Sequence, residues 1–453
     1  MNILIENATY YSFLSNSFAK NACIFIKGNK IKKIFSDREE INKILEKDDI
    51  DFYIDARDKI ILPGLVNAHM HFYGSYATGL TNIKESTNFV NILNNLWWKL
   101  DASLNSEANI LSALGYIENA IKHGTTTIID HHCSPFAIKH SLQNIGELAL
   151  KSGIRLSTCF EISERNGYDI FVKSLEENIS YKSFCDNIDS KRLHSIIGLH
   201  ASFTLSDDAL KIIEDETKEL KVGYHIHVAE DIEDEEDAKS KGYKNVVERL
   251  HKFGITGPNS IFAHCVHVSD EEISLLKKTK TMVVNNPQSN MNNAVGVANI
   301  KKLLNKGIIV GLGSDGMTVN MFEELRNALW QQKLINKSPH MFFNEVIKML
   351  FYNNYLIANK LFGTQLGYIK EGAEADLILI DYNPPTPLSE NNIFGHLLFR
   401  ISQEIVDTTI VDGKILMLNK QIINKHLFDK LQDSPDVAQQ VWNKFDELTS
   451  KNE

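Results

Sequence analysis

Eight short β-like runs, each followed by enough chain for a helix, constrain this sequence more than any other feature. They are Ile60–Ala68, Thr125–Asp130, Arg155–Ile162, His194–His200, Val222–Val228, Ser260–Cys265, Thr281–Asn285 and Ile308–Gly313. Between the first two, Ile110, Leu114, Ile117 and Ile121 recur at the spacing of one helix face. Gly124 stands where a glycine ends such a helix. Strands alternating with helices predict parallel βα units, and eight of them predict a (β/α)8 TIM barrel. A doubly wound open sheet competes, but no Gly-x-Gly-x-x-Gly follows the first strand. A length of 453 residues suits a barrel of about 250 residues with insertions, plus a smaller companion.

The flanks read differently from the middle. Ala22–Ile31 and Gly367–Asp381 are short turn-and-strand pieces, and Val406–Met417 reads as a hairpin turning at Asp412-Gly413. The expected organisation is an α/β chain with the barrel over 59–365. Residues 1–58 and 366–453 are expected to build one small β-sandwich-like domain, with a helical tail at the end.

His69-Met70-His71 closes the first apolar run. Alternate strand residues point the same way, so the two imidazoles can share one ion. Sixteen histidines in 453 residues make about half an occurrence of His-x-His expected by chance, so the motif alone decides little. Matching pieces follow in order, however: His225-Ile226-His227-Val228-Ala229-Glu230, Ala263-His264-Cys265-Val266-His267 and Leu312-Gly313-Ser314-Asp315-Gly316. His69 and His71 leave strand 1, His227 strand 5, His264 strand 6 and Asp315 strand 8, all at the end where barrel enzymes carry their active sites. Three imidazoles and a carboxylate suit one divalent cation, zinc first, with iron or manganese as alternatives. Glu230 lies just past its strand, beside such an ion, where a carboxylate can carry a proton from water to a leaving nitrogen. The competing reading is a helix N-terminal acid, since Glu230–Asp237 is an acidic run.

The pattern resembles the amidohydrolase superfamily, in its mononuclear deaminase and chlorohydrolase branch. The likeness runs from Leu62-Pro63-Gly64-Leu65-Val66-Asn67-Ala68-His69-Met70-His71 to Glu371-Gly372-Ala373-Glu374-Ala375-Asp376-Leu377. Within the branch, Thr125–Pro135, Leu96–Asp101 and Glu164–Gly167 most resemble the aminohydrolase family called SsnA. The resemblance implies His69, His71, His227 and Asp315 as metal ligands, and Glu230 as proton shuttle. It implies His264 as hydrogen-bond partner of the attacking water or developing oxyanion, with Asp315 also helping deprotonate that water. Relatives with two metals carry a carboxylated lysine after strand 4. Gly198-Leu199-His200-Ala201-Ser202-Phe203 has none, which implies one metal and places His200 toward substrate. Asn286-Pro287-Gln288-Ser289-Asn290 resembles a loop of the branch that faces the metal.

The groups that choose the substrate are read with alternatives. Trp97, Trp98 and Phe72 either stack on a planar heterocycle or pack in the core. Glu161 and Arg165 either grip a polar substrate edge or form a plain ion pair. His131 and His132 are candidates to orient the metal-facing imidazoles.

The expected activity is hydrolysis of a carbon–nitrogen bond outside peptides, with metal-bound hydroxide attacking a purine- or pyrimidine-like heterocycle and ammonia leaving. Ring opening of a cyclic amide or amidine, chlorohydrolysis and a non-catalytic scaffold are the alternatives. A formal charge of −10 without basic runs argues against nucleic acid and anionic membrane as partners, leaving a small-molecule substrate. The family resemblance adds a homodimer as an expectation. Five cysteines without a Cys-x-x-Cys pair, no signal-peptide pattern and no long apolar run point to a cytoplasmic setting.

Overall fold

The computed structural model describes residues 1–403 and 406–450. The barrel wall consists of Leu65–Met70, Thr125–Asp130, Arg155–Thr158, the broken strand Leu193–Ser195 with Ile197–Ala201, Tyr224–Val228, Ile261–His264, Met282–Asn285 and Val310–Leu312. In that order they are barrel strands 1 to 8. Strands 1 to 3 and the first half of 4 pair in one parallel sheet, and the second half of 4 with strands 5 to 8 in another. The wall continues across both seams. Only Ile196 separates the halves of strand 4, and Ile162 bridges Leu199 there. At the other seam Met70 bridges Asp315 in parallel, and the His69 carbonyl accepts from the amides of Ser314 and Asp315. Strand 1 is buried along its whole length, as a parallel strand covered on both faces must be.

The run Ile60–Ala68, expected as one strand, is divided at Gly64. Lys59–Pro63 pairs with Leu377–Asp381 in the sheet of the chain ends, and Leu65 begins the barrel. The Gly64 amide donates to the Asp376 carbonyl, while the next amide, Leu65, donates to the carbonyl of Gly124 at the start of neighbouring barrel strand 2. A Cβ on Gly64 would lie 2.3 Å from Thr126 Cγ2, so this crossing needs a residue without a side chain.

Both chain ends meet in one nine-stranded sheet that runs from Gln421–Ile422 at one edge to Lys30–Phe35 at the other. The sheet curls until its far parts touch: Ala375 N donates to Asn29 O, and Lys30 bridges Glu374. The enclosed face buries its own apolar cluster, including Ile5, Ile24, Ile61, Leu377 and Ile410. Val406–Val411 and Lys414–Leu418 form the expected hairpin. Arg155, fully buried on barrel strand 3, reaches into this sheet with Nη2 3.1 Å from Asp376 Oδ2 and Nη1 2.7 Å from Lys191 O.

The amphipathic segment is the helix Ser106–Lys122, opened by the Asn105 side chain accepting from Ala108 N. Leu114, Ile117 and Ile121 are buried on it, and Gly124 follows with a left-handed φ of +73°. Between barrel strand 1 and this helix, a long crossing carries the 3-10 turn Phe72–Ala77, the π-helical turn Leu93–Trp97 and the helix Trp98–Ser103. Such π-turns sit often at functional sites, and this one walls the barrel mouth. The terminal helix Ser434–Ser450 packs on the crossing, with Trp442 Nε1 donating to Tyr76 O at 2.8 Å. Among the described residues no helix is long and apolar enough to cross a membrane.

Candidate active site

The histidines converge at the C-terminal mouth of the barrel. Donor atoms of His69, His227, His264 and Asp315 all lie within 4.8 Å of one another. His71 belongs to the same knot: its Nε2 is 2.8 Å from Asp315 Oδ1 and 3.1 Å from His227 Nε2. Four ligands at zinc bond lengths of about 2.1 Å would be spaced by roughly 3.4 Å, so these donors fit one small divalent ion. His69 Nε2 is buried without a hydrogen-bond partner, as a metal-facing nitrogen would be.

Each imidazole is held by its other nitrogen. His71 Nδ1 donates to the His131 carbonyl, His227 Nδ1 to the His200 carbonyl at 2.8 Å, and His69 Nδ1 to His225 Nε2 at 2.8 Å. These bonds leave the three Nε2 atoms to face a common point, the arrangement that orients metal-binding histidines. Ser289 Oγ donates to the second oxygen of Asp315. Asn290 Oδ1 accepts from His264 Nδ1 at 2.8 Å, leaving His264 Nε2 3.5 Å from Glu230 Oε2.

The electrostatics follow from burial and from Asp315. Burial drives His69 down to about 3, and burial with the surrounding imidazoles takes His227 well below the usual histidine range. Burial also opposes charge on His71, but Asp315 outweighs it and lifts His71 to about 9. The carboxylate that can hold a proton on His71 can equally hold a cation in that place. Glu230 is pushed up to about 7 by burial, against His264, which lowers it, and with Asp315, which raises it. A carboxyl with a pKa near 7 can both take and give a proton at neutral pH.

The local backbone explains how strand ends present these groups. Ala229, His264, Cys265 and Asp315 all have left-handed φ angles, between 46° and 71°. Non-glycine residues hold that conformation at a cost of roughly 1–3 kcal/mol each, and it turns the chain sharply out of the strand. The cost is offset by hydrogen bonds such as Cys265 N to Val228 O and Asp315 N to His69 O.

The sequence model of the Amidohydrolase family matches residues 60–416. The chain belongs to the amidohydrolase family. It is 32% identical over 426 residues to a 5-methylthioadenosine/S-adenosylhomocysteine deaminase of Carboxydothermus hydrogenoformans, covering 93% of this chain and 94% of that one. A 5'-deoxyadenosine deaminase of Methanobrevibacter smithii is 31% identical over 433 residues, with 93% of each chain covered. Among solved structures, a zinc-bound adenosine deaminase of Xanthomonas campestris superposes with a TM-score of 0.80 over 97% of this chain and 98% of that one. At 17% identity that likeness speaks for the fold alone.

In this amidohydrolase the residues expected to meet substrate separate into two groups. His200, Trp97, Trp98 and Glu161 line the same pocket as Glu230 and His227. Arg165 does not line it. Its guanidinium stands behind the wall, 2.6 Å from Glu161 Oε1 and 3.2 Å from Asp101 Oδ2, because two buried carboxylates draw it inward. Arg165 is thus placed to hold the acids Glu161 and Asp101. Glu161 is held well below the usual carboxylate range, since His200, Arg165 and His131 outweigh its burial. Phe72 is fully buried in the main core, and His132 bonds Ser134, away from the ligands. His131 does sit among them, with its ring Nε2 donating to the carbonyls of Leu199 and His225 at 3.1 Å.

Three contributors carried no assigned role in the sequence reading: His225, Asn290 and Asp101. A signal for His225 existed, because it sits two residues before His227 and strand alternation puts both inside the barrel. Asn290 lay within a recognised loop. Asp101 closed the recognised stretch Leu96–Asp101, but only the fold of the long crossing brings it to the pocket.

Proposed function

We propose that this amidohydrolase deaminates a purine- or pyrimidine-like heterocycle, using one divalent ion, zinc by preference, held by His69, His71, His227 and Asp315. The observation that carries the reading is the place of Glu230: a half-buried carboxyl that faces a pocket 3.5 Å from His264, beside the converging donors, and that desolvation pushes up to about 7. The names of the relatives, deaminases of adenosine derivatives across 93% of this chain, support ammonia as the leaving group. Imidazole and carboxylate donors support zinc.

When bound, the ion supplies Lewis acidity that lowers the pKa of a water towards about 7. The side chains do the rest. Asp315, fixed by Ser289, accepts one proton of the attacking water. Glu230 carries a proton to the nitrogen that leaves, so water adds across the C=N bond, the C–N bond breaks, and ammonia and a carbonyl result. His264 Nε2 faces the oxygen and donates to it once that nitrogen takes up a proton, Nδ1 being held by Asn290, and His200 faces the ring from the pocket wall.

The test is ammonia release from 5'-deoxyadenosine, 5-methylthioadenosine, adenosine, guanine and cytosine, in the wild type and in Glu230→Gln. Ammonia that falls by about 10²–10⁴-fold in Glu230→Gln with metal content unchanged is the expected result. Loss of ring absorbance without ammonia would overturn deamination in favour of ring opening.

A further inference from the structure

We propose that Glu324 is a positioning residue for the metal-facing mouth. From the helix Met321–Ile335 it holds Gln288 from behind, so that the next two residues, Ser289 and Asn290, keep Asp315 and His264 in place. The proposal deepens the reading of one ion held at that mouth and rests on it for the roles of Asp315 and His264.

The hold is made by a side chain that burial disfavours. Glu324 is fully buried, and its Oε2 accepts from Gln288 N at 3.3 Å. Its Oε1 and Gln288 Nε2 are both buried without a partner. Polar atoms left unmet in the interior cost free energy that a leucine in the same place would not, which points to what the carboxyl holds and not to helix packing. The ordinary first-turn acid of this helix is Glu323, half-buried and bonded by Thr318 Oγ1 at 3.2 Å. Glu324 turns inward instead, to a partner 36 residues away in the chain. Burial lifts its carboxyl well above the usual range against the Gln288 amide, and Glu323 and Asp315 add to the rise, so it stands uncharged.

From Glu324 to the candidate ligands the path is short. Gln288 lies in the short helix Pro287–Asn292, which follows barrel strand 7. One residue on, Ser289 donates to Asp315 Oδ2, and Asn290 accepts from His264 Nδ1 at 2.8 Å. Both are buried. Gln331, about two helical turns beyond Glu324, reaches Pro287 O at 3.5 Å, too long for a firm hydrogen bond, so Glu324 is the tighter hold. Among the described residues none of Glu324, Gln288, Ser289 and Asn290 lines the pocket that holds Glu230. A change at Glu324 therefore reaches the reaction through the metal-facing groups and not through substrate contact.

Zinc affinity, read by competition with a chelator, tests the role in Glu324→Leu, Glu324→Gln and Leu325→Ala. Leucine removes the acceptor for Gln288 N, whereas glutamine copies the uncharged carboxyl and keeps it. Glu324→Leu is expected to lose about tenfold in zinc affinity, and Glu324→Gln to stay within about twofold of wild type. Glu324→Asp draws the carboxyl back from Gln288, should match leucine, and is the variant to read if Glu324→Leu folds poorly. Leu325 is buried on the same helix, so Leu325→Ala should lower the melting temperature yet leave zinc affinity within about twofold. Adding Ser289→Ala to Glu324→Leu should cost no more than about twofold beyond the larger single loss, because both act on one contact. Where wild type releases ammonia, kcat should fall about tenfold in Glu324→Leu with KM within about twofold. Zinc affinity within about twofold in both Glu324→Leu and Glu324→Asp, an equal loss in Glu324→Gln or Leu325→Ala, or fully multiplied losses in the double variant would overturn the role. Ammonia is scored apart. Zinc affinity sensitive to Glu324 without ammonia keeps the role and sinks the deaminase, and ammonia with insensitive affinity does the reverse. If wild type takes up no zinc, the ion itself is overturned, and hydrogen exchange over 285–293 in the metal-free protein decides the hold: faster exchange in Glu324→Leu supports it and unchanged exchange sinks it.

Discussion

His225→Leu should weaken metal binding without removing any candidate ligand. His225 Nε2 lies 2.8 Å from His69 Nδ1, and among the described residues no other side chain engages that nitrogen. With His69 presenting Nε2 to the ion, its Nδ1 carries the proton and donates it to His225. Leucine leaves this donor buried and unpaired, at about 1–3 kcal/mol. His69 loses the contact that fixes its ring plane, while the other imidazoles keep theirs on the carbonyls of His131 and His200. Groups that orient metal-binding histidines are worth roughly 10–100-fold in affinity, or about 1.4–2.7 kcal/mol, which agrees with the local estimate. The assay is competition against a chelator of known affinity, followed by elemental analysis, with the melting temperature of the metal-free protein as control for packing. An affinity within about twofold of wild type would refute the argument, because it would mean that the His69–His225 contact does not set the ring. So would an equal loss in Cys159→Ala, where Sγ lies 4.0 Å from His225 Nδ1, since that contact is too long to matter.

Other consequences reach the rest of the fold. Arg155→Met leaves Asp376 and Asp412 without their buried guanidinium and should destabilise by about 3–5 kcal/mol in urea unfolding, whereas Arg155→Met with Asp376→Leu should recover most of that. Gly64→Ala places a methyl against Thr126 and should cost about 1–3 kcal/mol in the same assay, with Thr126→Ala relieving it only in part because the Thr126 Cβ, 2.9 Å away, stays; a neutral Gly64→Ala would contradict the reading of the crossing between sheets. Glu235 is pushed up to about 8 by burial and by neighbouring Glu272, so between its ordinary 4.5 and 8 the folded chain binds the extra proton. Stability tied to that proton is present below about 4.5 and lost as pH rises through 8, and Glu235→Gln should flatten the fall in melting temperature from pH 5 to 8.5. Parallel curves for the two proteins would refute it.

Much of the site was legible before any coordinates. Alternation within a strand fixes which residues share a side, so His69 with His71 could be placed on one mouth from sequence alone. The order of strand exits then gathered His227, His264 and Asp315 there, because all strands of a parallel barrel end on one face. What alternation cannot report is which atoms meet across strands. That depends on the stagger of neighbouring strands and on where the chain leaves one sheet for another. The run Ile60–Ala68 looks uniform in sequence, and only the closeness of Thr126 to Gly64 shows that it serves two sheets. Arg165 reads equally as a substrate clamp or an ion-pair partner, and no local pattern tells that its two carboxylates, Asp101 and Glu161, come from different segments.

The sequence by itself determined the order of strands and helices, the residue types at each strand exit and hence the chemistry a metal-facing mouth can perform, because those follow from local periodicity and residue identity. Tertiary structure alone decided that His225 braces His69, that Asp101 and Trp98 reach the pocket from the long crossing, and that burial lifts Glu230 to about 7. Those are properties of distance and desolvation between segments far apart in the chain, and no local pattern encodes them.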